Sequence, residues 1–182
     1  MGRALPDQVV EILIADWEIE CCAPPPVVGA VATWSLEFVN ASDELAHEAV
    51  WTVTRRPDGV VLLDRGGIHA AWNTSVAPPP RAGIHTLRGR LHGTVHGSVR
   101  STIPDSLPPV SGRVQRIRIV SHELVGDHTG QPSPRHTGVT RTLREVHESP
   151  RWFNPATTGP GPLNTGVLVD MAVPDPAGVE PS

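Results

Sequence analysis

Hydrophobic and polar residues alternate most regularly between positions 84 and 100. Leu87, Gly89, Leu91, Gly93, Val95, Gly97 and Val99 take one set of alternate positions, and Arg88, Arg90, His92, Thr94, His96, Ser98 and Arg100 take the other. A period of two sends successive side chains to opposite faces of a strand, and the interleaved glycines would weaken a helix. The segment therefore reads as a strand that buries Leu91 and Val95 and exposes Arg88, Arg90, His92 and His96. Gly89, Gly93 and Gly97 leave gaps between the apolar side chains, which suits a bent strand or the close approach of another backbone.

The other elements are shorter and set off by proline. Val9–Ala15 is a mainly apolar, β-branched run that predicts a buried strand, and Val27–Val39 predicts a long one after Pro24-Pro25-Pro26. Val50–Arg55 and Val60–Leu63 flank Arg56-Pro57-Asp58-Gly59 and read as a hairpin. Ile68–Trp72 adds a brief strand before Pro78-Pro79-Pro80. Residues 113–125, with Arg116 and Arg118 on one face and Ile117 and Ile119 on the other, read as the partner of the 84–100 strand. Val167–Val173 predicts a last strand. Residues 139–147 alternate poorly, 126–138 and 154–164 read as loops, and 42–49, behind cap candidates and acids in Asn40-Ala-Ser-Asp-Glu, as one short helix. The fold class is mainly β: a small curved barrel or half-barrel with one short helix and long Pro/Gly-rich loops. One domain over 1–173 is expected, with a flexible tail over 174–182. Trp17, Trp34, Trp51 and Trp72 are the large candidates for its core or rim.

Charge is sorted by position. Residues 1–50 carry nine acids against Arg3, a net of −8, and residues 81–118 carry seven arginines against Asp105, a net of +6, although the chain totals only −4. Either the two stretches face each other or the basic one faces an anionic partner. All fifteen basic residues are arginine. Without lysine there is no Schiff-base lysine and no P-loop, whose phosphate grip needs Gly-Lys. The first residues lack the apolar run of a secretory signal, and Val9–Ala15 is too short to span a bilayer. The expectation is a cytoplasmic protein with no membrane segment.

Asp16-Trp17-x3-Cys21-Cys22-x5-Val28-Gly29-x-Val31-x2-Trp34 resembles a group of uncharacterised actinobacterial proteins, a domain-of-unknown-function family that opens with Trp-x3-Cys-Cys-Gly followed by Val-Gly-Asp-x-Val-x-Trp. His96-Gly97-x-Val99, Pro108 and Gly112-x-Val114-x2-Ile117 resemble a later block of it, and the two blocks cover about a third of the chain. Ala23 and Ala30 depart from the family's glycine and acid, which puts the loop after the cysteines in doubt. The family carries no assigned activity, so the resemblance implies no catalytic residues. Val-Gly-x-Val and Gly-x-Val-x2-Ile are also phrases found at strand starts of SH3-like barrels, an analogy of fold.

Candidate chemistry is sparse. His92 and His96 lie four apart, which on a strand separates them by roughly 13 Å and precludes one metal ion. His47-Glu48, His122-Glu123 and His147-Glu148 lack the second histidine of a zincin, and Glu44-x2-His47 has no second copy. No metal ligand set and no cofactor is therefore predicted. Glu18 and Glu20 would share a strand face, an arrangement commoner among surface acids than in glycosidases. Cys21 and Cys22 are candidate reactive thiols; as neighbours on a strand, one would be buried and the other near the surface. The acids around them raise a thiol's pKa and oppose reactivity. No Gly-x-Ser-x-Gly elbow or dinucleotide fingerprint occurs.

The best candidate site is the basic face made of Arg88, Arg90, His92, His96, Arg116 and Arg118. It suggests a non-enzymatic binding or regulatory module for an anionic ligand or an acidic protein surface. Nucleic acid is disfavoured, because the chain is net negative and the strip lacks stacking aromatics. The competing class is an enzyme or metalloprotein centred on Cys21, Cys22 and unassigned histidines. Oligomeric state is open.

Overall fold

The computed structural model describes residues 8–95, 103–122, 141–153 and 162–174. Among them lie β1 (Gln8–Ala15), α1 (Asp16–Cys21), β2 (Val31–Asn40), β3 (His47–Arg55), β4 (Val61–Arg65), β5 (Ile68–Trp72), β6 (Gly83–Thr94), β7 (Val110–His122), β8 (Arg141–Val146) and β9 (Leu163–Val173). The protein is mainly β with one short helix. Strand pairing closes two circuits, β2–β5–β4–β3–β6 and β2–β6–β1–β9–β7, which share the β2–β6 ladder. That ladder runs from Ser35 opposite Thr94 to Asn40 opposite Gly89.

Alternation fills the interior. β1 sends Val10, Ile12 and Ile14 inward, β2 sends Trp34, Leu36 and Phe38, and β9 sends Val167, Val169 and Met171. Trp51, Trp34 and Trp72 are buried as expected, whereas Trp17 sits at the rim, 44% exposed. Phe38 stacks on Trp72 at 5.4 Å between centroids and meets Trp51 edge-on at 5.7 Å. Gly89 is required by this packing: a Cβ there would lie 2.5 Å from both Phe38 Cζ and the carbonyl oxygen of Val39. The close backbone approach read from the glycines of this strand is real at Gly89.

Several expectations are corrected. The helix is not at 42–49 but at Asp16–Cys21. His47, Glu48 and Ala49 instead pair with Gly89, Arg88 and Leu87, because a ladder on β6 satisfies their backbone where an isolated turn of helix could not. Likewise β7 is not the partner of β6: it pairs with β9, β8 and the start of β2. β6 is flanked instead by β3, β2 and β1. Val95 is 42% exposed, while Leu91 is buried. The poorly alternating 139–147 segment contains β8, an outer strand with most side chains exposed. The loop read at 126–138, residues 154–161 of the second loop, the end of the 84–100 strand with His96, and the tail from 175 lie outside the described residues.

One feature of the pairing positions the site. β2 and β3 meet opposite edges of β6 at Gly89, since both pair with that residue. β3 then leaves, and β1 takes the same edge at Leu91 and His92. Between the departing β3 and the arriving β1 no ladder forms, and a slot opens there.

Candidate functional site

The face of β6, β1, β9 and β7 turned away from the core carries the polar residues that alternation removes from the interior. Leu13 lies opposite His92 on one side and Leu168 on the other, and Leu168 lies opposite Arg118. Glu11 lies opposite Asp170. The segment between β2 and β3 folds over this face. Its Leu45 packs with Leu13, Val120 and Leu168 in a small apolar cluster.

Acid and base meet here within one chain. Arg118 Nη2 donates to Glu11 at 2.7 Å and to Asp170 at 2.5 Å. His47 Nε2 lies 2.7 Å from the other Glu11 oxygen. Arg90 Nη1 donates to Asp43 at 2.6 Å, and Arg141 Nη1 to Glu44 at 2.7 Å. The acids at 43 and 44, read as the first turn of a helix, are instead counter-ions for β6 and β8. Arg90 and His92 are accordingly half-buried rather than open to solvent. Of the remaining strip, Arg116 pairs with Glu145 on the surface at 2.9 Å, and Arg88 is exposed.

Two cavities open on this face. The first, about 280 Å³, is lined by Arg90, His92, His122, Arg141 and Thr165 together with Leu13, Leu45 and Val120, with no carboxylate among the described residues that line it. His92 is held well below the usual histidine range, at about 4, first by burial and then by the neighbouring Arg90, against the opposing pull of Glu37 and Asp43. It is neutral at pH 7. His92 Nε2, Arg90 Nε and Arg141 Nε are buried with no hydrogen-bond partner among the described residues. The second cavity, about 340 Å³, is the slot between β1 and β3. Glu11, His47, Arg65 and Asp170 stand along it, and the interior residues Val10, Phe38, Trp51 and Leu91 reach into it. Arg65 lies 5.1 Å over the Trp51 ring, and burial lowers its pKa. Leu13, Leu45 and Arg90 line both cavities, which makes them neighbours.

The sequence strip thus divides. Arg90 and His92 come together at the first cavity, Arg118 is engaged by two acids, and Arg116 and Arg88 stand apart. His122 and Arg141, opposite each other on β7 and β8, join the cavity although the sequence placed neither on the basic face. The signal that could have found Arg141 is its place in the register, which poor alternation in β8 concealed.

Cys21 and Cys22 are not on a strand. They end α1, both are exposed, and they are joined to each other as a disulfide, so neither is a free thiol. Glu18 and Glu20 likewise lie on the helix and part company. Glu18, buried, accepts from Thr94 Oγ1 and the Val95 amide, while Glu20 accepts from the Phe153 amide. Among the described residues no three His, Cys, Asp or Glu side chains gather as a metal site, and no helix is long and apolar enough to cross a membrane.

Fold and site define a mainly β protein with a cavity lined by arginine and histidine and an adjoining slot on one ion-paired sheet face. The chain belongs to a family of unknown function (DUF6578), which it matches over residues 8–173. No curated protein and no solved structure matches it.

Proposed function

We propose that this protein is a non-enzymatic binding module for a small oxyanion held in the cavity lined by Arg90, His92, His122, Arg141 and Thr165. The observation that carries this reading is the lining itself, two arginines, two histidines and a threonine with no carboxylate among the described lining residues. Asp43 pairs with both guanidiniums, at 2.6 Å from Arg90 and 3.8 Å from Arg141, and Glu44 with Arg141, while Nε of each arginine is buried with no acceptor among the described residues. A buried donor without an acceptor costs about 1–3 kcal/mol, and an oxyanion supplies acceptors in several directions at once. Neutral His92 contributes an N–H without adding charge that burial would penalise.

The test uses inorganic phosphate and sulfate as probes, with calorimetry on the full chain at low ionic strength. Saturable binding that weakens as salt rises and is reduced at least about tenfold by Arg141→Ala supports the reading, since one charge-assisted hydrogen bond contributes on that scale. Binding of neither anion at millimolar concentration, or binding indifferent to Arg141→Ala and Arg90→Gln, would overturn it.

A further inference from the structure

We infer that the slot between β1 and β3 is a second subsite, and that it takes the planar aromatic body of the same ligand. This rests on the oxyanion reading of the neighbouring cavity and adds the class of molecule: an aryl-substituted oxyanion, such as an aromatic phosphate monoester, rather than a bare inorganic ion.

Three observations support it. The slot is the place where two strands share one edge of β6 without pairing with each other, so buried side chains of the core form its floor. Its floor is apolar and aromatic, with Phe38, Trp51 and Leu91. Its two acids share one arginine, Arg118, and Glu11 also meets His47, so their charge is partly offset where an anion would enter beside them. The cation at its edge, Arg65, is different. Its Nε and Nη2 lie 2.9 and 3.1 Å from the Gln8 side-chain amide, whose oxygen accepts from both in the amide orientation that satisfies the two groups. Its guanidinium lies over the ring of Trp51, and no carboxylate pairs with it among the described residues. A planar guanidinium of that kind stacks on aromatic faces.

Continuity with the first cavity selects the occupant. Leu13, Leu45 and Arg90 are walls of both cavities, so a ligand whose oxyanion sits against Arg90 has the slot on the other side of that side chain. A free apolar peptide or lipid chain would have no reason to begin at a cluster of arginine and histidine. A molecule with an anionic head and one aromatic ring satisfies both surfaces.

The experiment compares inorganic phosphate with phenyl phosphate by calorimetry on the wild-type chain and on Ala49→Leu, which places a larger side chain at the slot wall. The wild type is expected to bind phenyl phosphate at least about tenfold more tightly than phosphate, the gain from burying part of a ring's apolar surface. In Ala49→Leu that ratio is expected to fall to about one. Should Ala49→Leu not fold, Ala49→Val makes the same comparison. If phosphate binds but phenyl phosphate binds no tighter, the slot inference fails and the oxyanion reading stands. A gain that survives both Ala49 variants also overturns the slot. If neither probe binds, both readings fall together.

Discussion

Glu11 on β1 and Asp170 on β9 stand directly opposite each other in an antiparallel ladder, two carboxylates in a position that normally repels. Arg118 resolves the conflict by reaching from β7 and donating one Nη2 to both. The three side chains are all at least 80% buried. Removing the cation leaves two largely buried acids facing each other, with His47 beside Glu11.

Arg118→Leu is therefore expected to destabilise the fold by about 3–5 kcal/mol, the cost of breaking a buried ion pair from one side. Restoring balance with Glu11→Gln and Asp170→Asn on that background should recover part of the loss. Urea denaturation of the three proteins measures both effects. A single mutant as stable as the wild type would show that the clamp contributes nothing.

Leu91→Ala is expected to cost about 2–5 kcal/mol, since it empties a buried leucine site. Arg88→Ala, on the exposed side of the same strand, should change stability by less than about 0.5 kcal/mol. Arg90→Ala should fall between them, because it releases Asp43 and with it the segment that holds Leu45 over the sheet. Equal losses at 88 and 91 in parallel denaturation curves would contradict the strand's facing.

Stability should fall on acidification between about pH 6.5 and about pH 4 in part because of His92. Its folded pKa of about 4 lies below the ordinary 6.5, so in that window the unfolded chain binds a proton that the folded chain refuses. Stability therefore rises with pH across the window, and the full contribution, up to about 3 kcal/mol, is present above pH 6.5. His92→Gln should flatten that part of the profile. The relevant measurement is unfolding free energy against pH for both proteins, with the groups around His92 (Arg90, Glu37 and Asp43) left intact. Parallel profiles would sink the assignment.

The Cys21–Cys22 disulfide should matter little for stability. A bridge restricts the unfolded chain through the loop it closes, and adjacent residues close almost none. Thiol titration should find no free thiol before reduction and two after. The double variant Cys21→Ser, Cys22→Ser should unfold within about 0.5 kcal/mol of the parent. A loss several times larger would mean that the linkage organises the turn leaving α1.

What the sequence determined by itself is the local order of the strands. Period-two alternation marked β6 and the two faces of β7, and short apolar and β-branched runs set off by turns and prolines marked β1, β2, β3, β4, β5 and β9. Of the two readings of the glycines in β6, a close approach is made at Gly89 by Phe38 and Val39. The opposed acidic and basic stretches allowed either a meeting within the chain or an anionic partner, and the fold brings Glu11 to Arg118 and Asp43 to Arg90. Tertiary structure decided the rest. Asn40–Glu44 has the letters of a helix start, but its acids find arginines on β6 and β8, and the residues after it find an open ladder on β6. Asp16–Cys21 became the helix instead, with Ile19 and Glu18 buried against neighbours distant in sequence. The site followed the same rule: Arg90 and His92 were visible as a strip, but His122 and Arg141 joined them only because β7 and β8 pair in one register. The slot beside them exists because β3 and β1 share an edge of β6 without touching, a fact of pairing that no local pattern encodes.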